Sequence, residues 1–158
     1  MANPRYWLMK SEANCFSFDD LMKAPAQTTF WDGIRNFEAR NFLRDQVQKG
    51  DLVLFYHTLA DPPGVAGIAK VVQAGYPDHT AFDAKHEHYD PKSREDKPTW
   101  YMVDLKAVKP LKRYVDLPEI RNHNELQNMW LLKRNRLSVT PVTEQEFQLI
   151  LELGKTKL

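Results

Sequence analysis

The segment Trp31-Asp32-Gly33-Ile34-Arg35-Asn36-Phe37-Glu38-Ala39-Arg40-Asn41 crowds two aromatic rings, two arginines and two asparagines into eleven residues. An indole offers a flat face for a ring to stack on. Arginine and asparagine offer forked donors and acceptors for phosphates or base edges. A helix with a purely structural role has little use for that density, so the segment is read as one wall of a nucleobase pocket. Trp31 stands before Asp32-Gly33, a turn signal, where the first backbone N–H groups of a helix are free to meet an anion or a carbonyl. An isolated tryptophan belongs to a core more often than to a cage; its place beside a surface turn favours the pocket.

The helix expected from Ile34 to Val47 has two faces. Ala39, Phe42, Leu43 and Val47 fall on the side that faces the core. Phe37, Arg40, Asn41 and Arg44, spaced by three and four, share another side. Arg40 and Arg44 either reach an anionic ligand or pair with Glu38, Asp45 or sheet carboxylates, and the pattern leaves both open. Two strand ends add polar groups. Lys10-Ser11-Glu12 closes the first strand, and Phe55-Tyr56-His57-Thr58 closes another. Each could line a site or simply end a strand, and His57 is the histidine most suspected of ligand contact.

A second chemistry is visible further on. Asp78, His79, Asp83, His86, Glu87, His88 and Asp90 occupy thirteen residues. Histidines and carboxylates ligate metals, and His86 and His88 face one way in an extended segment. No recurring ligand spacing is matched, however. The alternative function is therefore a metal-dependent nuclease or base-modifying enzyme using the acidic loop 76–98. A small-metabolite binder is a third reading. No Gly-rich phosphate loop, nucleophile elbow or HExxH motif is present. The single cysteine, Cys15, can form neither an internal disulfide nor a Cys-rich zinc site, and beside Phe16 it reads as packing.

These groups need a scaffold. Tyr6 to Met9 is expected as a first strand. Ser17 is expected to cap a short helix, Phe18 to Lys23, with Pro25 beyond it. Gly50 marks the exit of the long helix. Asp51 to Thr58 and Val65 to Val72 are rich in β-branched and aromatic residues and flank the turn Asp61-Pro62-Pro63-Gly64, which predicts a hairpin or neighbouring strands. Residues 76–98 read as a long loop. Trp100 to Val108 alternates as a strand, Leu111 to Val115 continues the sheet, and Leu117 to Leu132 reads as broken helical turns. Leu137 to Val142 is a last strand. Thr143-Glu144-Gln145-Glu146 is a capping box, and Gly154 stops the final helix. Short strands with a few helices point to a small bent sheet or barrel and away from a doubly wound parallel sheet.

Bulk properties narrow the classes. At 158 residues, with 42% hydrophobic and 27% charged, the chain suits one domain spanning residues 1–158. The longest apolar run is five residues, Leu52 to Tyr56, far short of a bilayer span, so no membrane partner is expected. The first residues lack a signal-peptide pattern, and a cytoplasmic location is expected. A net charge of +1 argues against a protein that coats nucleic acid indiscriminately. Charge is unevenly spread: seven basic residues against six acidic in 1–50, five against eight in 51–98, and ten against seven in 99–158. A modest basic surface in the last third is compatible with a few phosphate contacts.

Ordered blocks along nearly the whole chain resemble the EVE domain family. They are Trp7-Leu8-Met9-Lys10-Ser11-Glu12, the Trp31 to Asn41 segment, Gly50 to His57, Ala74-Gly75-Tyr76-Pro77-Asp78, Tyr89-Asp90-Pro91-Lys92-Ser93, Trp100 to Asp104, and Arg136-Leu137-Ser138-Val139-Thr140-Pro141-Val142. The chain departs from the family pattern at Ala13, Thr58 and Thr140; Thr140 replaces a frequent glutamine and removes its two-sided amide. The resemblance implies an α+β, PUA-like fold, a small β-barrel with surrounding helices and kinship to YTH readers. It implies a non-enzymatic module that recognises a modified nucleobase, with methylated cytosine derivatives in DNA as one substrate class and modified RNA as another; no cofactor is expected. By that likeness Trp31 is an aromatic wall. Lys10, Ser11, Asn36, Phe37, Tyr56, His57 and Ser138 lie near the pocket, and Arg35, Arg40 and Arg44 turn toward phosphates.

Overall fold

The computed structural model describes residues 4–158. The run Leu52 to Tyr56 lacks polar alternation because its strand is covered on both faces. That strand, β3 (Leu52–Thr58), lies parallel to β1 (Tyr6–Glu12), with Tyr6 opposite Leu52 and Glu12 opposite Thr58. The other neighbours are antiparallel: β2 (Thr28–Phe30), β4 (Gly64–Pro77), β5 (Tyr101–Asp116) and β6 (Val139–Val142). The six strands run in the order β2-β5-β4-β3-β1-β6.

This order corrects one expectation. The sheet is mixed and carries helices, but it is not closed into a barrel, because β2 and β6 form its two edges and no ladder joins them. The curvature comes from bulges, since an extra residue on one strand bends it. Register shifts interrupt the β4–β5 ladder four times, between Val65 and Gly67, Ile68 and Ala69, Val71 and Gln73, and Gln73 and Tyr76. Pro110, which cannot donate to a ladder, faces Gly67 at one of them. The two segments expected around Pro110 are thus one continuous strand.

Two cores cover the sheet. On one face Trp7, Met9, Val53 and Phe55 pack against α1 (Phe18–Lys23) and α2 (Phe37–Asp45). On the other, Leu8, Leu54 and Tyr56 pack against α3 (Leu117–Asn122), α4 (Trp130–Lys133) and α5 (Glu144–Leu153). Ser17 caps α1 and Thr143 closes its capping box, as expected, and Ser17 also completes a box with Asp20. None of the helices among the described residues is long and apolar enough to cross a membrane.

The helix expected from Ile34 starts later, at Phe37. Asn36 is extended, and its side chain accepts from Ala39 N–H at 3.0 Å, so it caps the helix rather than entering it. The helix ends at Asp45, and the chain turns at Gly50 with φ +98°. Its faces fall as the wheel requires: Ala39, Phe42 and Leu43 are buried, whereas Phe37 is 60% exposed. Residues 76–98 form no free loop. Tyr76 and Pro77 finish β4, a short 3-10 turn spans His79–Phe82, and Trp100 Nε1 donates to Asp90 at 2.6 Å to fasten the far end.

Candidate functional site

A cavity of about 500 Å³ opens between the end of β1 and the segment linking β2 to α2. Lys10, Ser11 and Glu12 line it from β1, and Ser138, just ahead of β6, joins them because Lys10 N–H donates to Ser138 C=O at 2.9 Å. The aromatic walls are Trp31, Phe30 and Phe16. Trp31 is only 7% exposed yet borders the hollow. Its ring stands edge-on to Phe55 at 5.4 Å and 81°, and the Trp31 backbone N–H donates to Val103 C=O at 2.7 Å, which ties the chain at this point to β5. Phe30 is 43% exposed. Cys15 sits on the rim, where the hydrogen bond to Glu12 pushes its thiol up, away from the reactive thiolate.

A buried carboxylate holds the Trp31 turn. Asp78 is 0% exposed. It accepts from Gly33 N–H at 2.9 Å, Thr80 N–H at 2.9 Å, the Thr80 hydroxyl, and Arg35 at 3.0 Å. Burial alone pushes the Asp78 carboxyl up, but the bonds from Thr80, Gly33 and Arg35 outweigh it and hold the group below the usual carboxylate range. Arg35 also donates to Ile34 and His88 carbonyls and lies over Trp100 at 5.3 Å. Gly33 has φ +77°, and a Cβ there would stand 2.5 Å from the His88 ring. The glycine lets that imidazole lie flat on the backbone.

Asp32, His86 and His88 converge beside this turn, offering ligand atoms within 4.8 Å of one another. His88 Nδ1 lies 3.1 Å from Asp32 Oδ2, and His86 Nε2 lies 3.7 Å from the same oxygen. His86 Nδ1 accepts from His88 N–H at 3.0 Å. In a neutral ring the proton therefore sits on Nε2, the nitrogen that faces Asp32. A ligating histidine must present an unprotonated nitrogen, so holding an ion here would require His86 to give up its backbone bond or its ring proton.

The EVE domain family profile matches residues 5–153. This chain belongs to the EVE domain family. It is 44% identical over 165 residues to human thymocyte nuclear protein 1, covering 94% of this chain and 73% of that protein. A crystal structure of human THYN1 protein in complex with 5-methylcytosine-containing DNA superposes with TM-score 0.91 at 42% identity, covering 98% of this chain and 99% of the other. A structure of a hypothetical protein from Leishmania major gives TM-score 0.91 at 45% identity, covering 97% and 96%. The YTH domain of Zygosaccharomyces rouxii MRB1 protein, at TM-score 0.52 and 12% identity, shares the fold alone.

Within this EVE domain, four of the residues expected at the pocket meet at the cavity: Trp31, Lys10, Ser11 and Ser138. The Ser11 hydroxyl donates to Phe16 C=O, leaving its lone pairs for a visitor. Lys10 points its ammonium at Asn135 C=O, 2.7 Å away, and burial pulls its pKa down. The others lie elsewhere. Asn36 caps α2. Phe37 stacks on Trp100 at 5.0 Å on the outer surface. Tyr56, its hydroxyl pushed up to about 12 by burial, borders a separate hollow of about 200 Å³ with Lys10 and Leu131. His57 Nε2 accepts from Phe18 N–H at 3.0 Å; burial lowers its pKa against the opposing pull of Asp19 and Asp20, which suits an acceptor that must stay neutral. Thr140 is buried in β6 and does not border the cavity.

The three arginines have protein partners. Arg35 is tied to Asp78, Arg40 donates to Thr99 C=O at 2.7 Å, and Arg44 pairs with its neighbour Asp45. The helix pattern left Arg40 and Arg44 open between an anionic ligand and carboxylate pairing; Arg44 has the Asp45 pairing that the pattern named, and Arg40 meets a carbonyl instead. Phe16, Phe30, Asp32 and His88 also line the cavity, though sequence reasoning named none of them as a pocket residue and offered His88 only as a metal ligand. Phe30 had a signal, its adjacency to Trp31. Nothing in the sequence paired Asp32 with His88, because 56 residues separate them. Another hollow, about 1120 Å³, lies beside Lys109, Lys155 and Leu158 and has no aromatic lining. It offers no face for a base to stack on.

Proposed function

We propose that this EVE domain is a non-enzymatic module that binds DNA carrying a modified cytosine and takes that single base into the cavity walled by Trp31. The observation that carries the reading is a 500 Å³ hollow bordered by the indole and by two further rings. Its size lies in the range of small-ligand sites, about 300–1,000 Å³. The related human protein is solved with 5-methylcytosine-containing DNA. Extruding a base costs a few kcal/mol, and stacking on an aromatic face returns roughly 1–3 kcal/mol. The Glu12 and Asp32 carboxylates at the rim suit the donor character of the cytosine N4 amine. Phe16 and Phe30 supply apolar surface for a 5-methyl group, an increment of about 0.8 kcal/mol per buried carbon.

The test is a titration of tryptophan emission with a methylated duplex, its unmodified twin and a modified RNA, without added metal. Quenching by the methylated duplex supports the reading; no response to any of the three removes it. A response confined to the RNA moves the substrate class and leaves the pocket. A metal-dependent nuclease has one observation in its favour, the convergence of Asp32, His86 and His88. It requires chelator-sensitive cleavage that His86→Ala abolishes. An absence of turnover with divalent metals added sets that reading aside.

A further inference from the structure

The cavity mouth is electrically lopsided. Glu12, Asp32 and Glu87 bring three carboxylates to it. Ser138 leads out of it into the segment Lys133-Arg134-Asn135-Arg136, which is exposed throughout and carries three cations and no acid. That segment, with Asn36 and Leu137, lines a groove of about 300 Å³. Leu137 belongs to the groove and its chain neighbour Ser138 to the cavity, so the two hollows adjoin along the backbone.

The segment is also held in place. Lys10 grips it twice, through its ammonium on Asn135 C=O and its backbone N–H on Ser138 C=O. Leu137 N–H closes a turn onto Arg134 C=O at 3.0 Å, and the Leu137 side chain is buried. Arg134 clasps Glu38 of α2 and lies over Trp130 at 5.7 Å. Lys133 and Arg136 have no ion-pair partner among the described residues. Their charge faces the groove without a carboxylate to cancel it.

A nucleotide whose base occupies the cavity must leave its sugar and flanking phosphates at the mouth. The acidic side repels them, and Arg35, Arg40 and Arg44 are bound to protein carbonyls and carboxylates. We propose that the groove formed by Lys133 to Arg136 is the phosphate-binding track of this domain, with Lys133 and Arg136 as its contacts and Arg134 as the clasp that positions them. The inference rests on the base-pocket reading and adds the path of the strand.

The test is the salt dependence of binding. A double variant, Lys133→Gln with Arg136→Gln, is titrated with methylated and unmodified duplexes across a range of salt. Each lost phosphate contact lowers the slope of log K against log salt by about 0.9, so the slope falls by roughly 2. Both duplexes weaken by a similar factor, and the preference for the methylated one is kept. The control is Arg40→Gln with Arg44→Gln, which removes the same charge from α2 and moves the slope far less. An unchanged slope in the first variant, or an equal loss in the control, overturns the proposal. Loss of the methyl preference in the wild-type protein itself would count against the base pocket and leave the slope comparison to judge the groove.

Discussion

Two patches of this protein use the same residue types to different ends. At the cavity, Trp31 borders a hollow and Arg35 stands behind it, tied to Asp78. On the outer surface of α2, Phe37 stacks on Trp100 with Arg40 lying over Phe37 at 5.0 Å. Both are aromatic and cationic. The first borders a hollow whose lining includes Ser11 and Ser138; in the second, the rings stack on each other and the Trp100 N–H is already taken by Asp90. Composition alone does not make a cavity; here a turn held by a buried anchor accompanies the hollow. In this domain the anchor is Asp78, which gathers the Trp31 turn and the chain around Thr80 onto one carboxylate.

That contrast breaks most sharply at the anchor. Asp78→Asn leaves Arg35 without its counter-charge. Arg35 is a quarter exposed, so water offsets part of the loss, and the expected cost is about 1–3 kcal/mol. Chemical denaturation at neutral pH measures it, and DNA binding weakens in parallel as the turn loosens. The pH dependence has a fixed sign. The folded carboxyl titrates below its unfolded value of roughly 3.9. Its contribution is therefore complete above that pH and disappears as pH falls through the folded value. Wild-type protein loses stability in this acid window, and the asparagine variant lacks that portion. Identical acid profiles would show that Asp78 anchors nothing.

Two glycines sharpen the comparison at intermediate size. Gly33 and Gly50 both have positive φ, so alanine at either is strained by about 1 kcal/mol or more. Only at Gly33 does the new methyl meet a cavity residue, the His88 ring. Gly33→Ala is expected to lower both stability and DNA affinity. Gly50→Ala meets open space and is expected to lower stability alone. Equal effects on binding would erase the distinction. The smallest change belongs to the outer patch. Phe37→Ala loses a stacked pair worth about 0.5–1.5 kcal/mol and leaves discrimination between methylated and unmodified duplexes intact, as paired binding curves check.

Local signals made much of the scaffold readable. The helix caps at Ser17 and Thr143 and the strand expected over Asp51 to Thr58 need only short windows. The start of α2 escaped because Asn36 suits a cap as well as a helix pattern, and the cap geometry wins. β2 escaped because three residues carry no periodicity. Proline at position 110 read as a break, yet a register shift absorbs it. At the site, Trp31, Lys10 and Ser11 were visible because each ends or begins an element. The destinations of Arg35 and Arg40 were not, because their acceptors include the backbone carbonyls of His88 and Thr99, which leave no mark in the sequence. Asp78 is joined to Gly33 across 45 residues, and only the folded β4–β5 framework brings them together.

The most direct measurement compares wild-type protein with Trp31→Leu, which keeps apolar volume at the wall and removes the flat ring. Affinities for two duplexes that differ by a single cytosine methyl are measured for each, with circular dichroism to confirm folding. The wild type is expected to prefer the methylated duplex, and the variant to lose about 1–3 kcal/mol of binding to it along with the preference. A folded Trp31→Leu protein that binds and discriminates like wild type would contradict the account.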